Sequence, residues 1–192
     1  MIESISLKNF KAFKDVEMKN IPPFCVIVGA NGTGKSTIFT VFGFLRDAME
    51  SNVNTALSKL GGSRGIKEVR TRGVPENEPI EITIKYRTKK VVNSSNTQPL
   101  ITYQLIINER NGKAYVELER LSYRRGRRGI PWLFLDISDG KGIAVTNEAA
   151  EVTDVSQLAR EDQLLKSNDI LAIKGLAQFK RFPAVMALGE II

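Results

Sequence analysis

The residues best suited to chemistry are Gly29, Ala30, Asn31, Gly32, Thr33, Gly34, Lys35 and Ser36, followed by Thr37, which together fit the spacing G-x-x-x-x-G-K-[ST]. That spacing has a physical purpose. Glycines let consecutive backbone N–H groups curve round an anion with no Cβ in the way, and a helix that begins at the end of the loop points the positive end of its dipole at the same place. Lys35 is placed to neutralise the β- and γ-phosphate oxygens of a triphosphate and is the candidate catalytic residue. The Ser36 hydroxyl is a hard oxygen ligand for Mg²⁺, and Thr37 is placed to reach the α-phosphate. The stretch Gly29 to Thr37 is therefore the candidate nucleotide-binding loop.

Triphosphate hydrolysis needs two further groups: a carboxylate that holds Mg²⁺ through water, often an Asp closing an apolar strand, and a group that orients the attacking water. The best candidate for the first is Asp136, at the end of Trp132-Leu-Phe-Leu-Asp. It is followed by Ile137 and a Gly-containing turn. Two readings stay open, a magnesium-site residue of a complete small NTPase or a strand-end acid beside a turn. The chain has no His, which excludes a Ser-His-Asp triad, a histidine-bound zinc and an imidazole base. The one thiol, Cys25, lies in an apolar run and reads as a buried small hydrophobe. No disulfide is expected from a single Cys, nothing resembles a signal peptide or a membrane span, and a cytoplasmic location is expected.

The formal charge is +7, with 28 Lys and Arg against 21 Asp and Glu, a balance that favours polyanionic partners over membranes. Arg124, Arg125, Arg127 and Arg128 form one basic cluster; Arg64, Lys67, Arg70 and Arg72 form another. Both have the composition of phosphate-binding patches, which makes DNA a candidate partner, although no aromatic series accompanies them to stack exposed bases. The competing reading is a pair of solvated loops.

Several elements must position these groups. "IESISLKNF" alternates with Ile5 and Leu7 on one face, and "DVEMKNI" supplies a second strand, together an opening hairpin. Phe24 to Val28 is a continuous apolar run, the pattern of a strand buried on both faces. After the glycines, Ile38, Val41, Phe42 and Leu45 fall at helical spacing, so the loop is predicted to join a central strand to a helix. From Ser51 to Gly73 the Gly, Ser and basic composition predicts an irregular connection without a core. Ile80 to Arg87 alternates strictly, and two further hairpins are predicted to turn at Asn111-Gly112 and Asp139-Gly140, giving an antiparallel meander. Beyond Thr153 the pattern reads as helical, with Asp154 or Ser156 capping one helix and Asp169 another, until Pro183 breaks the run.

In this order, "ISLKNFKAFKDVEM" followed by "FCVIVGANGTGKSTIFTVFGFL" resembles the start of an ABC ATPase head of the SMC/RecF type, and "GLAQFKRFPAVMAL" is similar to RecF-like and OLD-like bacterial ATPases. The resemblance implies a mixed α/β fold, a P-loop NTPase first lobe in which a Walker A strand-loop-helix is joined to an antiparallel β-subdomain and C-terminal helices. It places a nucleotide-binding lobe at residues 1–153 and the start of a second lobe, helical and truncated, at 154–192. It implies ATP with Mg²⁺, puts Lys11 of "NFKAF" beside the adenine and ribose, and offers Gln157, Gln163 and Gln178 as candidates for the glutamine that senses Mg²⁺ and the γ-phosphate. The family's signature motif, Walker B Asp-Glu and switch His have no match here. The expectation is therefore a lobe that binds ATP and is deficient in hydrolysis alone, the intact protein acting between two heads. The expected partner is the missing lobe or a second head, with a homodimer in the intact protein.

Overall fold

The computed structural model describes residues 1–91, 98–125, 129–148, 152 and 154–192. Alternating sequence becomes one antiparallel sheet: β1 (Ile2–Phe10), β2 (Phe13–Lys19), β3 (Ile80–Tyr86), β4 (Ile101–Arg110), β5 (Lys113–Tyr123), β6 (Trp132–Ser138), β7 (Lys141–Val145) and β8 (Arg160–Leu164). The order across the sheet is β2-β1-β3-β4-β5-β6-β7-β8. Ile5 pairs with Ile84, Leu7 with Ile82, and Ile82 in turn with Leu105, so the apolar face of each strand meets the apolar face of the next. The three hairpins turn where expected. At Asn111-Gly112 and Asp139-Gly140 all four residues have positive φ, the conformation that matches a two-residue turn to strand twist.

The helices are α1 (Lys35–Glu50), α2 (Val53–Gly61), α3 (Ile66–Val69), α4 (Ala172–Leu176) and α5 (Pro183–Ile191). Val41, Phe44, Leu45 and Ala48 of α1, Leu57 of α2, Ile173 of α4 and Leu188 of α5 join the inward residues of the sheet in one hydrophobic cluster. Of the apolar residues anticipated on α1, Val41 and Leu45 are fully buried, while Ile38 and Phe42 are half-buried.

Five expectations are corrected. Phe24 to Val28 forms no strand. Every strand pairing among the described residues is antiparallel and none reaches this segment, so Phe24, Val26 and Val28 are 83%, 66% and 84% exposed and Cys25 is exposed as well. A strand buried on both faces needs neighbours and cover on both, and the described residues supply neither.

Ser51 to Gly73 contains α2, α3 and a 3₁₀ turn between them, with Val53, Ala56, Leu57, Ile66 and Val69 in the core. Gly61, Gly62 and Gly65 sit at helix ends, and Asn52 caps α2 by accepting from the Thr55 N–H at 2.8 Å. The predicted helix after Asp154 stops after the 3₁₀ turn Val155–Gln157, and β8 follows it along the open edge of β7. Asp154 does cap that turn, accepting from the Ser156 N–H at 2.8 Å. Asp169 caps no helix: its carboxylate accepts from Asn54 and Ser167, and α4 starts after Leu171. Pro183 opens α5 at its first position, where a missing N–H is harmless.

Candidate functional site

The loop from Gly29 to Gly34 leads directly into α1, whose first residue is Lys35. Gly32 and Gly34 have φ of 83° and 88°, a region that L-residues with side chains disfavour. At Gly34 the requirement is double, because a Cβ there would meet the Phe13 ring at 2.7 Å. The Lys35 ammonium folds back over the loop and donates to the carbonyls of Gly29 at 2.6 Å and Ala30 at 2.5 Å. Thr33 Oγ1 donates to the Ala30 carbonyl at 2.9 Å. Asn31, Gly32, Thr33 and Ser36 are exposed, whereas Thr37 turns into the core.

This arrangement fits a polyphosphate. The first turn of α1 leaves N–H groups without intrahelical partners, no acidic side chain lies in that turn, and the Lys35 ammonium is already directed into the loop. Bound ATP would be held by the backbone of Gly29 to Gly34, by Lys35 and by Ser36, with Mg²⁺ on the Ser36 hydroxyl and phosphate oxygens. Among the described residues no cluster of three or more His, Cys, Asp or Glu could hold a metal.

Lys11 lies in the tight β1–β2 turn with φ 50°, and its N–H donates to the Val69 carbonyl at 2.6 Å. Its turn reaches the loop through Phe13, whose ring covers Gly34 and whose carbonyl accepts from Thr71 Oγ1 at 2.8 Å. Beside it, Lys11, Ala12, Leu60, Glu68, Arg70, Thr71 and Arg72 line a cavity of about 510 Å³. Arg70 is buried, 3.6 Å from Glu109, and none of its three guanidinium nitrogens makes a hydrogen bond. Its burial was not legible in a sequence where it is one of four clustered cations. The others are exposed and paired: Arg64 and Arg72 with Glu68, Lys67 with Glu76 and Glu109.

Asp136 is held elsewhere. Arg120 grips it with two donors, Nε at 3.0 Å and Nη2 at 3.2 Å. β6 lies four strands from β1, roughly 19 Å at the usual spacing. The strand-end reading of Asp136 is the one this geometry supports. Of the arginine cluster, Arg127 and Arg128 lie outside the described residues; Arg124 is exposed. Arg125 donates to the Glu148 carbonyl and lies over the Phe134 ring. The candidate glutamines are spread: Gln157 completes the Asp154 capping box, Gln163 sits on edge strand β8, and Gln178 donates to the Lys174 carbonyl at 3.3 Å.

Sequence reasoning missed two buried carboxylates. Glu119 on β5 accepts from Tyr103 Oη at 3.1 Å and from the N–H groups of Ala172 and Ile173 at 2.5 and 3.1 Å. Glu148 accepts from Tyr123 Oη at 3.0 Å and from the Ala184 N–H at 3.2 Å. Burial pushes both carboxyls up to about 7, against the lowering effect of those donors.

A glycine-rich loop opening onto a helix, with Lys35 at the junction, beside a mixed α/β body defines a P-loop NTPase. A family model described as AAA ATPase domain matches residues 1–168, and the chain belongs to that family. It is thus an ATP-binding ATPase domain, as the resemblance implied. A solved structure from work on ATP-driven dimerization and DNA-stimulated activation of SMC ATPases is 23% identical, covering 65% of this chain and 71% of that one, with a TM-score of 0.42. No curated protein matches the chain. Among the described residues, no helix is long and apolar enough to cross a membrane.

Proposed function

We propose that this chain is the nucleotide-binding lobe of an SMC/RecF-like ATPase, which binds Mg²⁺-ATP through Gly29 to Thr37 and completes hydrolysis only with groups supplied by a second lobe or head. The carrying observation is the junction at Gly34-Lys35, where a left-handed glycine, a helix N-terminus and a directed ammonium converge. Lys35 would exchange the two loop carbonyls for phosphate oxygens, a trade of neutral for charge-assisted hydrogen bonds. Ser36, exposed at the first turn, would hold the metal. ATP supplies the transferable phosphoryl group when bound. The chain's own residues bind and orient it, and Asp136, held by Arg120 on β6, is not counted among them.

The exposed apolar segment Phe24 to Val28 supports the need for a partner, since it takes part in no strand pairing among the described residues. Lys11 belongs to the same reading as a base-side or ribose-side contact. DNA contact through Arg124, Arg125, Arg127 and Arg128 remains a subsidiary proposal, weakened at Arg125 by its engagement with Glu148.

Mg²⁺-ATP titration of the 192-residue chain, run beside single-turnover hydrolysis, tests this reading. Binding without turnover is expected. Clear turnover abolished by Asp136→Ala would instead establish a complete small NTPase. Salt-sensitive DNA binding with no nucleotide affinity, unchanged by Lys35→Ala, would establish a nucleic-acid module with a vestigial loop.

A further inference from the structure

The C-terminal end of the P-loop helix carries an unusual form of support. α1 has no basic residue in its last turn to face the negative end of its own dipole. That charge comes from another element: Lys174 of α4 donates to the carbonyls of Glu50 at 3.1 Å and Ser51 at 2.6 Å. The segment leading into α4 holds the adjoining chain as well. The Asp169 carbonyl accepts from the Val53 N–H at 2.8 Å, and Asn54 Nδ2 donates to the Asp169 carboxylate at 3.0 Å.

At its other end α4 is fixed to the sheet by a group that is expensive to bury. Glu119 has no exposed surface, yet it is aimed from β5 at the start of α4 and accepts two of that helix's N–H groups together with the Tyr103 hydroxyl. An apolar residue at this site would pack without the desolvation penalty of a carboxylate. What Glu119 adds is a directional tie, and Leu171 and Ile173 lock it by packing in the core. Glu119, α4 and Lys174 thus form a continuous physical path from the middle of the sheet to the far end of α1, whose near end is the phosphate loop.

We propose that residues 169–176 are a strut that fixes the axis of α1, with Glu119 and Lys174 acting as positioning residues for the nucleotide site. The inference rests on the reading of Gly29 to Thr37 as an ATP loop. α1 spans Lys35–Glu50 as one uninterrupted helix, so a displacement at Glu50 is carried to Lys35, and the dipole and first-turn N–H groups move with it.

The test compares Lys174→Met, Lys174→Arg and Glu119→Gln in the full chain. It uses Mg²⁺-ATP titration, amide hydrogen exchange over residues 35–40, and thermal unfolding. Lys174→Met is expected to weaken Mg²⁺-ATP binding about threefold to fivefold, the size of a helix-end charge effect, and to speed exchange at residues 35–40 by a similar factor. Lys174→Arg is expected to restore both, and Glu119→Gln to shift exchange in the same region. A lower unfolding temperature with unchanged affinity, or exchange confined to the last turn of α1, would overturn the strut. Absence of ATP binding by the unsubstituted chain would instead overturn the functional reading, and exchange at residues 35–40 would still decide the strut.

Discussion

In the proposed reading, nucleotide affinity turns on Lys35. Its ammonium is already poised in the loop, so substitution removes charge-assisted hydrogen bonds worth about 1.5–3 kcal/mol. Lys35→Ala should weaken Mg²⁺-ATP binding by about 100-fold in a calorimetric titration, with little change in unfolding midpoint because the side chain is not in the core. Gly34→Ala should behave differently. It would place a Cβ 2.7 Å from the Phe13 ring at a φ of 88°, so a loss of about 1–2 kcal/mol of stability is expected in denaturant titration together with lost binding. Glu119 and Glu148 set the pH response. Burial raises each from its ordinary 4.5 to about 7 in the folded protein. A carboxyl that holds its proton more tightly when folded contributes stability that is full below about pH 4.5 and is lost as pH rises through about 7. Each contribution is on the order of 3 kcal/mol. Unfolding temperature should therefore fall between about pH 5 and 7.5, and Glu119→Gln should flatten that slope. An unchanged slope would count against the burial account.

At the scale of elements, β5 shows how a bulge redirects chemistry. Ala114 and Val116 face inward, and simple alternation would continue with Leu118 and leave Glu119 outside. The register shift opposite Ile106 and Ile107 leaves Glu117 without an opposite residue on β4 and turns Glu119, Leu121 and Tyr123 inward. The segment Phe24 to Val28 is the opposite case, apolar sequence with nothing to pair. Exposed contiguous apolar residues outside any strand pairing favour association. Val26→Asp is expected to reduce self-association in sedimentation velocity at micromolar concentrations, and an unsubstituted chain that stays monomeric at every concentration would show that the segment is not adhesive.

For the whole molecule, Phe13 of β2, whose ring covers Gly34, lies five strands from β6 and Asp136. Asp136→Ala should thus leave Mg²⁺-ATP affinity within about twofold of the starting value, while removing a partly exposed ion pair worth up to about 1 kcal/mol. A larger loss of affinity would mean that β6 approaches the nucleotide in solution. The second basic cluster offers less to a polyanion than its sequence suggests, because Glu68, Glu76 and Glu109 are interleaved with it in space.

The phosphate loop, the alternating strands and both Gly-containing hairpin turns were legible because each depends on local rules: fixed spacing, a period of two, and residues that tolerate positive φ. The same rules failed from Ser51 to Gly73, where glycines at helix ends resembled a loop, and from Arg160 to Leu164, where "REDQL" pairs only because the β7 edge is beside it. They also failed at Cys25, whose apolar neighbours promised a core that the described residues do not build around it. By itself, the sequence determined that this chain carries a glycine-rich loop ending in Lys35 and a helix on a mixed α/β body, since glycine conformation, lysine charge and helix polarity are properties of contiguous residues. Only the tertiary structure decided that Asp136 belongs to Arg120, that Glu119 faces α4, and that Lys174 supports the far end of the P-loop helix. Those outcomes depend on strand order, a bulge and helix docking, which bring together residues distant in the chain.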